Sequence, residues 1–425
     1  MRLYALLSVF VFALSHASAQ PERWFEDATM RFDFYHCGGG GRDECYFFDG
    51  IIREPYWGGP VRYLVDTTMY GDQMFRIVDA ASGELLYSRG YNTLFNEWLT
   101  TGEALSHARC MPESVVFPFP KIPVRIEIWR RDKAKRWQLG FSQDIDPQKG
   151  FVRKASADCD VFDVMVSGEP SRCVDIVLVP EGYAAGERGK FEQACVRFAD
   201  ELFSFPPYDG LRDKFNVRGV WAPSADSGVT LPGEDVWLDT AVGATFWTFG
   251  IERYQTVEDF QRVRDIAASA PYDCIYILSN TAKYGGGGIY NFYGISSANH
   301  PQSTGRVYVH EFGHLFAGLG DEYVGGVAYN DMYPAGVEPW EPNLTTLTDF
   351  GSKEWSRMLD ASTPVPTPLS EGGARLLGVY EGGGYVARGV YRPWPNCLMN
   401  NLHRIEEFCP VCDAAIRSQI RRLCE

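Results

Sequence analysis

Five consecutive residues, His310-Glu311-Phe312-Gly313-His314, constrain this 425-residue chain more than any other feature. They sit inside the apolar run from Val307 to Phe316, which reads as a helix. In a helix, residues four apart lie on nearly the same face, one turn apart. Both imidazoles can then reach one metal ion. Glu311 can lie beside a water activated by that ion and take its proton as the water attacks a carbonyl.

A catalytic zinc needs three protein ligands and one open position. The third is sought in Ala317-Gly318-Leu319-Gly320-Asp321-Glu322-Tyr323. Two glycines can end the helix through positive backbone dihedrals and turn Asp321 or Glu322 back toward the metal. Asp321 is the expected ligand. Gly313, which costs roughly 1 kcal/mol inside a helix relative to Ala, leaves room for another segment beneath the site. The turn-like Asn396-Cys397-Leu398-Met399-Asn400 could fill it, although a methionine fills core gaps anywhere. Tyr323, Tyr290 and His300 are candidates for contacts to a developing oxyanion or to substrate.

Around this motif the chain changes character. From Arg31 to Phe141, β-rich runs such as 61–65, 73–78 and 124–129 alternate with turn residues, the pattern of a β-sandwich. The polar stretch from Gln143 to Ser156 reads as a linker. Beyond it, strands expected at 174–179, 215–221 and 274–278 alternate with helices at 185–205 and 257–270. The expected architecture is an all-β sandwich over 20–150 followed by an α/β (α+β) domain over 151–425. Gly285 to Gly288 lacks the Lys-Ser/Thr of a phosphate loop and reads as a turn into an edge strand at 289–293. An extended substrate could pair with that edge.

Residues 1–19 carry a basic Arg2, an apolar stretch from Leu3 to Leu14 and the small-residue pattern Ala17-Ser18-Ala19, which predicts a signal peptide cleaved after Ala19 and a secreted or periplasmic chain. No segment is long and apolar enough for a stable membrane span. A net charge of -15 without a Lys/Arg run argues against nucleic acid and leaves a neutral or basic polypeptide as the better partner. Eleven cysteines in an exported chain permit disulfides. Cys37/Cys45 and Cys409/Cys412 are candidate pairs by their close spacing, with Cys397 or Cys424 competing for the latter, and the odd count leaves at least one thiol unpaired. A metal-site reading of the lone Cys409-Pro410-Val411-Cys412 is weaker, because no second CxxC appears.

Together, HEFGHLFAGLGDEY at 310–323, VDIVLVPEGY at 174–183, KYGGGGIYNFY at 283–293 and CLMNN followed by FCPVC near the end resemble the immunoglobulin A peptidase family, family 64 of the metallopeptidases. The resemblance spans 174–412, and the β-rich region looks like the accessory domain that precedes the catalytic one in that family. It implies Zn2+, a metzincin-like fold, peptide-bond hydrolysis and a Met-turn at Met399. Against metzincins of the HExxHxxGxxH type, Gly318 and Asp321 each fall one place late. One additional helical residue rotates the chain by about 100°, so the shift bears directly on whether Asp321 or Glu322 is the third ligand. The competing readings are a non-catalytic zinc-containing protein whose N-terminal domain contacts a glycan or surface polymer, and a zinc hydrolase of non-peptide amides. An intact Glu311 favours catalysis over the first.

Overall fold

The computed structural model describes residues 21–301, 304–325, 332–369, 376–402 and 407–425; the expected leader lies outside these. A four-residue helix α1 (Pro21–Trp24) leads into the long antiparallel strands β1 (Phe25–Gly39) and β2 (Arg42–Glu54). Strands β3 (Gln73–Asp79) and β4 (Leu85–Tyr91), helix α2 (Leu94–Trp98), and strands β5 (Ala108–Pro120), β6 (Val124–Arg131), β7 (Trp137–Ile145) and β8 (Val152–Lys154) follow. They form two four-stranded sheets, ordered β5-β1-β2-β8 and β4-β3-β6-β7. Alternating residues of both sheets, among them Phe32, Phe34, Phe75, Ile77, Phe117 and Ile126, meet in one buried core. Inward-facing apolar side chains at every second position are what hold such sheets face to face.

Three details differ from the sequence reading. Residues 61–65 are irregular rather than extended. The expected linker is largely strand: β7 runs to Ile145 and β8 pairs in parallel with the edge of β2, from Ile51↔Val152 to Arg53↔Lys154. Cys37 stands opposite Cys45 on one neighbour and Cys110 on the other. It is bridged to Cys110, and Cys45 is a free, exposed thiol.

The second half contains β9 (Asp160–Met165), β10 (Val174–Glu181), α3 (Arg188–Leu202), β11 (Phe215–Trp221), α4 (Phe260–Ala267), β12 (Cys274–Ser279), β13 (Gly286–Gly288), β14 (Gly294–Ser297), α5 (Thr304–Ala317), the hairpin β15 (Tyr380–Gly383) and β16 (Val386–Arg392), and α6 (Pro410–Cys424). Its six-stranded mixed sheet is ordered β13-β14-β12-β10-β11-β9, with β14, β12, β10 and β11 parallel and the two edge strands antiparallel. The central strand β10 is buried at every position, because both faces of the sheet are covered. On one face Ile176 and Leu178 pack with Phe198, Phe312 and Ile416 of α3, α5 and α6. On the other, Val177 and Val179 pack with Phe260 and Val263 of α4 and with Phe95 and Trp98 of α2.

That second face joins the two halves, since α2 belongs to the sandwich. A buried polar network reinforces the junction. Arg31 lies against Asp33 at 2.9 Å, Glu54 at 3.6 Å and Asp265 of α4 at 2.6 Å. Arg264 donates to the Tyr272 hydroxyl, which donates to Glu54 at 2.8 Å. Burial pushes the carboxyls of Asp33 and Glu54 up, and the Arg31 guanidinium opposes it. Removing the Arg31 cation would leave the two buried carboxylates with Arg264 and the Tyr272 hydroxyl as their remaining compensation. Arg31→Met is therefore expected to lower the unfolding free energy at neutral pH by about 3–5 kcal/mol in denaturant titrations, and a loss under about 1 kcal/mol would contradict this role.

Candidate metal centre

Helix α5 carries the two histidines, and its C-terminus shapes the rest of the site. Gly318 adopts φ +63° and its amide donates to the His314 carbonyl. A left-handed residue at this point ends the helix and redirects the chain. The following residues are fixed in place: Asn343 exchanges two hydrogen bonds with Gly320, at 2.7 and 2.8 Å, and the Gly384 amide donates to the Asp321 carbonyl.

The redirected chain brings Asp321 to both imidazoles. Its Oδ1 is 3.1 Å from His310 Nε2 and 3.3 Å from His314 Nε2, and the two Nε2 atoms are 3.1 Å apart. A tetrahedral zinc with bonds of about 2.0–2.2 Å sets its nitrogen and oxygen ligands about 3.3–3.5 Å apart, so this triangle fits it closely. Asp321 Oδ1 is buried and, among the described residues, has no hydrogen-bond partner. Each Nδ1 faces a backbone carbonyl, Leu398 for His310 at 3.3 Å and Leu319 for His314 at 2.5 Å. With Nδ1–H donated there, Nε2 keeps its lone pair for a metal. The Tyr385 hydroxyl donates to Asp321 Oδ2 at 2.5 Å.

The electrostatics match a site built around positive charge. Burial would raise the Asp321 carboxyl, yet His314 and His310 hold it far below the usual carboxylate range. For His314, burial opposes ionisation, but Asp321 and Glu311 outweigh it and push the imidazole up to about 9. Glu311 is pushed up by burial, with His310 and His314 working against the rise.

Met399 lies in the turn that starts at Cys397, closed by the Asn400 amide donating to the Cys397 carbonyl. Its sulfur packs beneath α5, only 3.2 Å from where a Cβ on Gly313 would stand. The same turn touches both ligand segments: Leu398 O faces His310, and Met399 O accepts from the Glu322 amide at 2.8 Å.

Glu311 opens into a cleft of about 290 Å³ that also holds His310, His314, Asp321 and Tyr323. One wall is β13. A Cβ at Gly288 would stand 2.3 Å from the Glu311 carbonyl and 2.9 Å from His314 Cβ, so glycine is what allows strand and helix to approach. The glycine run is thus the edge strand itself, and 289–293 is a turn, the reverse of the sequence reading. Gly286 already exchanges backbone hydrogen bonds with Arg253 and Gln255. Tyr323 receives a hydrogen bond from Arg253 at 3.2 Å. Tyr290 lines the cleft, but its ring packs against those of Trp340 and Tyr70, which also touch each other. His300 lines a separate cavity with Arg197 and Glu201.

Several cleft residues escaped the sequence reading. Glu97 reaches in from α2 of the sandwich half, accepts from the Tyr254 hydroxyl and is pushed by burial up to about 7. Arg253, Tyr254 and Tyr385 likewise come from loops without a local motif; only the glycine-rich run Gly382-Gly383-Gly384 beside Tyr385 hinted at a tight turn.

Against models of known protein families, residues 162–375 and 371–420 match the one described as IgA Peptidase M64, and residues 20–142 match the one described as Peptidase M64 N-terminus. No curated protein matches the chain.

If Tyr385 orients Asp321 as a ligand, Tyr385→Phe lowers the affinity of this site for zinc by about 10–100-fold, measured by competition with a chromogenic chelator. Unchanged affinity would show that the Tyr385 hydroxyl contributes nothing to the centre.

Proposed function

Because this chain belongs to the IgA peptidase M64 family, a family of metallopeptidases acting on polypeptides, we propose that it is a secreted zinc endopeptidase with His310, His314 and Asp321 as ligands and Glu311 as general base. The observation that carries the reading is the near-equilateral triangle of His310 Nε2, His314 Nε2 and Asp321 Oδ1, with Glu311 beside it in an open cleft. Zinc held there would supply a Lewis acid that activates water and polarises the scissile carbonyl.

The chain's own groups do the rest. Glu311 takes the proton of the attacking water and returns it to the leaving amine, a task that its upward-shifted carboxyl favours. Tyr323 is kept protonated by burial, so its hydroxyl can donate to the oxygen on which charge develops, with Arg253 adjoining it. The substrate backbone lies along β13, where the hydrogen bonds already made by Gly286 leave Gly288 as the pairing position nearest Glu311. Met399 supports the helix from below, consistent with a metzincin-like catalytic domain. The leader over 1–19 carries the reading of export after cleavage near Ala19. Among the described residues, no helix is long and apolar enough to cross a membrane. Glu311 in this position also separates the proposal from a zinc-holding scaffold that only binds.

Hydrolysis of an unstructured protein such as casein is expected to stop on chelation and return with zinc. Glu311→Ala is expected to lower kcat/KM by about 10²–10⁴ while zinc content stays at the wild-type level. Undiminished proteolysis by the zinc-loaded variant would sink the mechanism.

A further inference from the structure

A second constellation lies on the far side of the residue that follows Asp321. Glu322 turns away from the histidines, and its carboxylate meets Cys397, Cys409 and Cys412. All four are buried, with Glu322, Cys397 and Cys412 at 0% exposure and Cys409 at 2%. The expected Cys409–Cys412 disulfide is absent, and Cys397, Cys409, Cys412 and Cys424 are all free thiols. Cys397 Sγ is 3.8 Å from Cys412 Sγ, and Glu322 Oε1 is 3.4 Å from Cys412 Sγ and 3.9 Å from Cys409 Sγ. All four ligand atoms lie within 4.8 Å of one another.

These separations discriminate between chemistries. A disulfide requires about 2.05 Å between sulfurs and would strand the third thiol beside a buried carboxylate. A tetrahedral zinc with bonds of about 2.3 Å to sulfur and 2.0–2.2 Å to oxygen sets its ligands about 3.8 Å (S···S) and 3.5 Å (S···O) apart. The observed distances are close to the edges of that tetrahedron. Glu322 Oε1, the oxygen that faces the thiols, accepts from Asn343 at 2.9 Å and keeps a second lone pair for a cation, and Oε2 has no hydrogen-bond partner among the described residues. The sulfurs also receive amide hydrogen bonds, Cys409 N to Cys397 Sγ at 3.2 Å and Cys412 N to Cys409 Sγ at 3.4 Å. Cys409 caps α6 and Cys412 lies in its first turn, where the helix dipole favours thiolates.

We propose that Cys397, Cys409, Cys412 and Glu322 form a second, structural zinc site. All four positions are filled by protein, so the ion has no place for water or substrate. Its role is to clamp three segments: the one carrying Asp321, the turn carrying Met399, and the start of α6.

The test uses the full-length chain carrying His310→Ala and His314→Ala, which lacks the histidine site. It is expected to retain one zinc per chain after dialysis against a chelator, with X-ray absorption at the zinc edge showing three sulfur neighbours at about 2.3 Å. Adding Cys412→Ser is expected to abolish that retained zinc. In the wild-type chain, sulfur appears in the averaged zinc shell, which gives a reading even where a variant fails to fold. A histidine variant that is folded but free of zinc, a wild-type shell without sulfur, or a disulfide among these cysteines in a non-reduced peptide map would each overturn the proposal. None of these readouts depends on proteolytic activity.

Discussion

Two imidazoles and a carboxylate held within about 3.3 Å of each other form the contact on which the surrounding structure depends. Without compensation, a buried carboxylate at that position costs several kcal/mol. The chain holds it there through a helix end, a reciprocal pair of hydrogen bonds between Asn343 and the adjoining Gly320, a backbone bond from the β15–β16 hairpin, and the Tyr385 hydroxyl. Short-range helix geometry sets the histidines, but Asp321 depends on contacts from residues more than twenty positions away. Such a ligand is held well only when each of those supports is in place.

The alternation of direction along the chain carries the next consequence. Asp321 faces the histidines and its neighbour Glu322 faces the cysteines, so a shift of the backbone here would disturb both groups. Leu398 and Met399 face the histidine site while Cys397 faces the other. The segments 321–322 and 397–400 are joined by the Glu322 amide on the Met399 carbonyl. The floor of the cleft and the buried thiol cluster are therefore one mechanical unit.

Much of this was legible in the sequence because it is local. The spacing of His310 and His314 dictates a shared helix face, the two glycines after Ala317 mark its end, and the apolar run 174–179 marks a central strand. What escaped is non-local or runs against propensity. Glycine disfavours strands, yet β13 is built of three glycines, because any Cβ at Gly288 would collide with α5. Cys37 is flanked by two cross-strand cysteines, and sequence distance favoured Cys45 over Cys110, whereas sheet register allowed either. The polar stretch after Ile145 resembled a linker because an edge strand such as β8 need bury little. Glu97 enters the cleft only because α2 packs on the α/β sheet, a contact that no local pattern announces.

The most direct test of the account is diffraction from crystals of the mature chain at energies on either side of the zinc absorption edge. The account predicts an anomalous peak within bonding distance of His310 Nε2, His314 Nε2 and Asp321 Oδ1, with the Glu311 carboxylate beside it. Zinc-soaked crystals with no peak among those three atoms, or a peak whose third protein ligand is a residue other than Asp321, would contradict it.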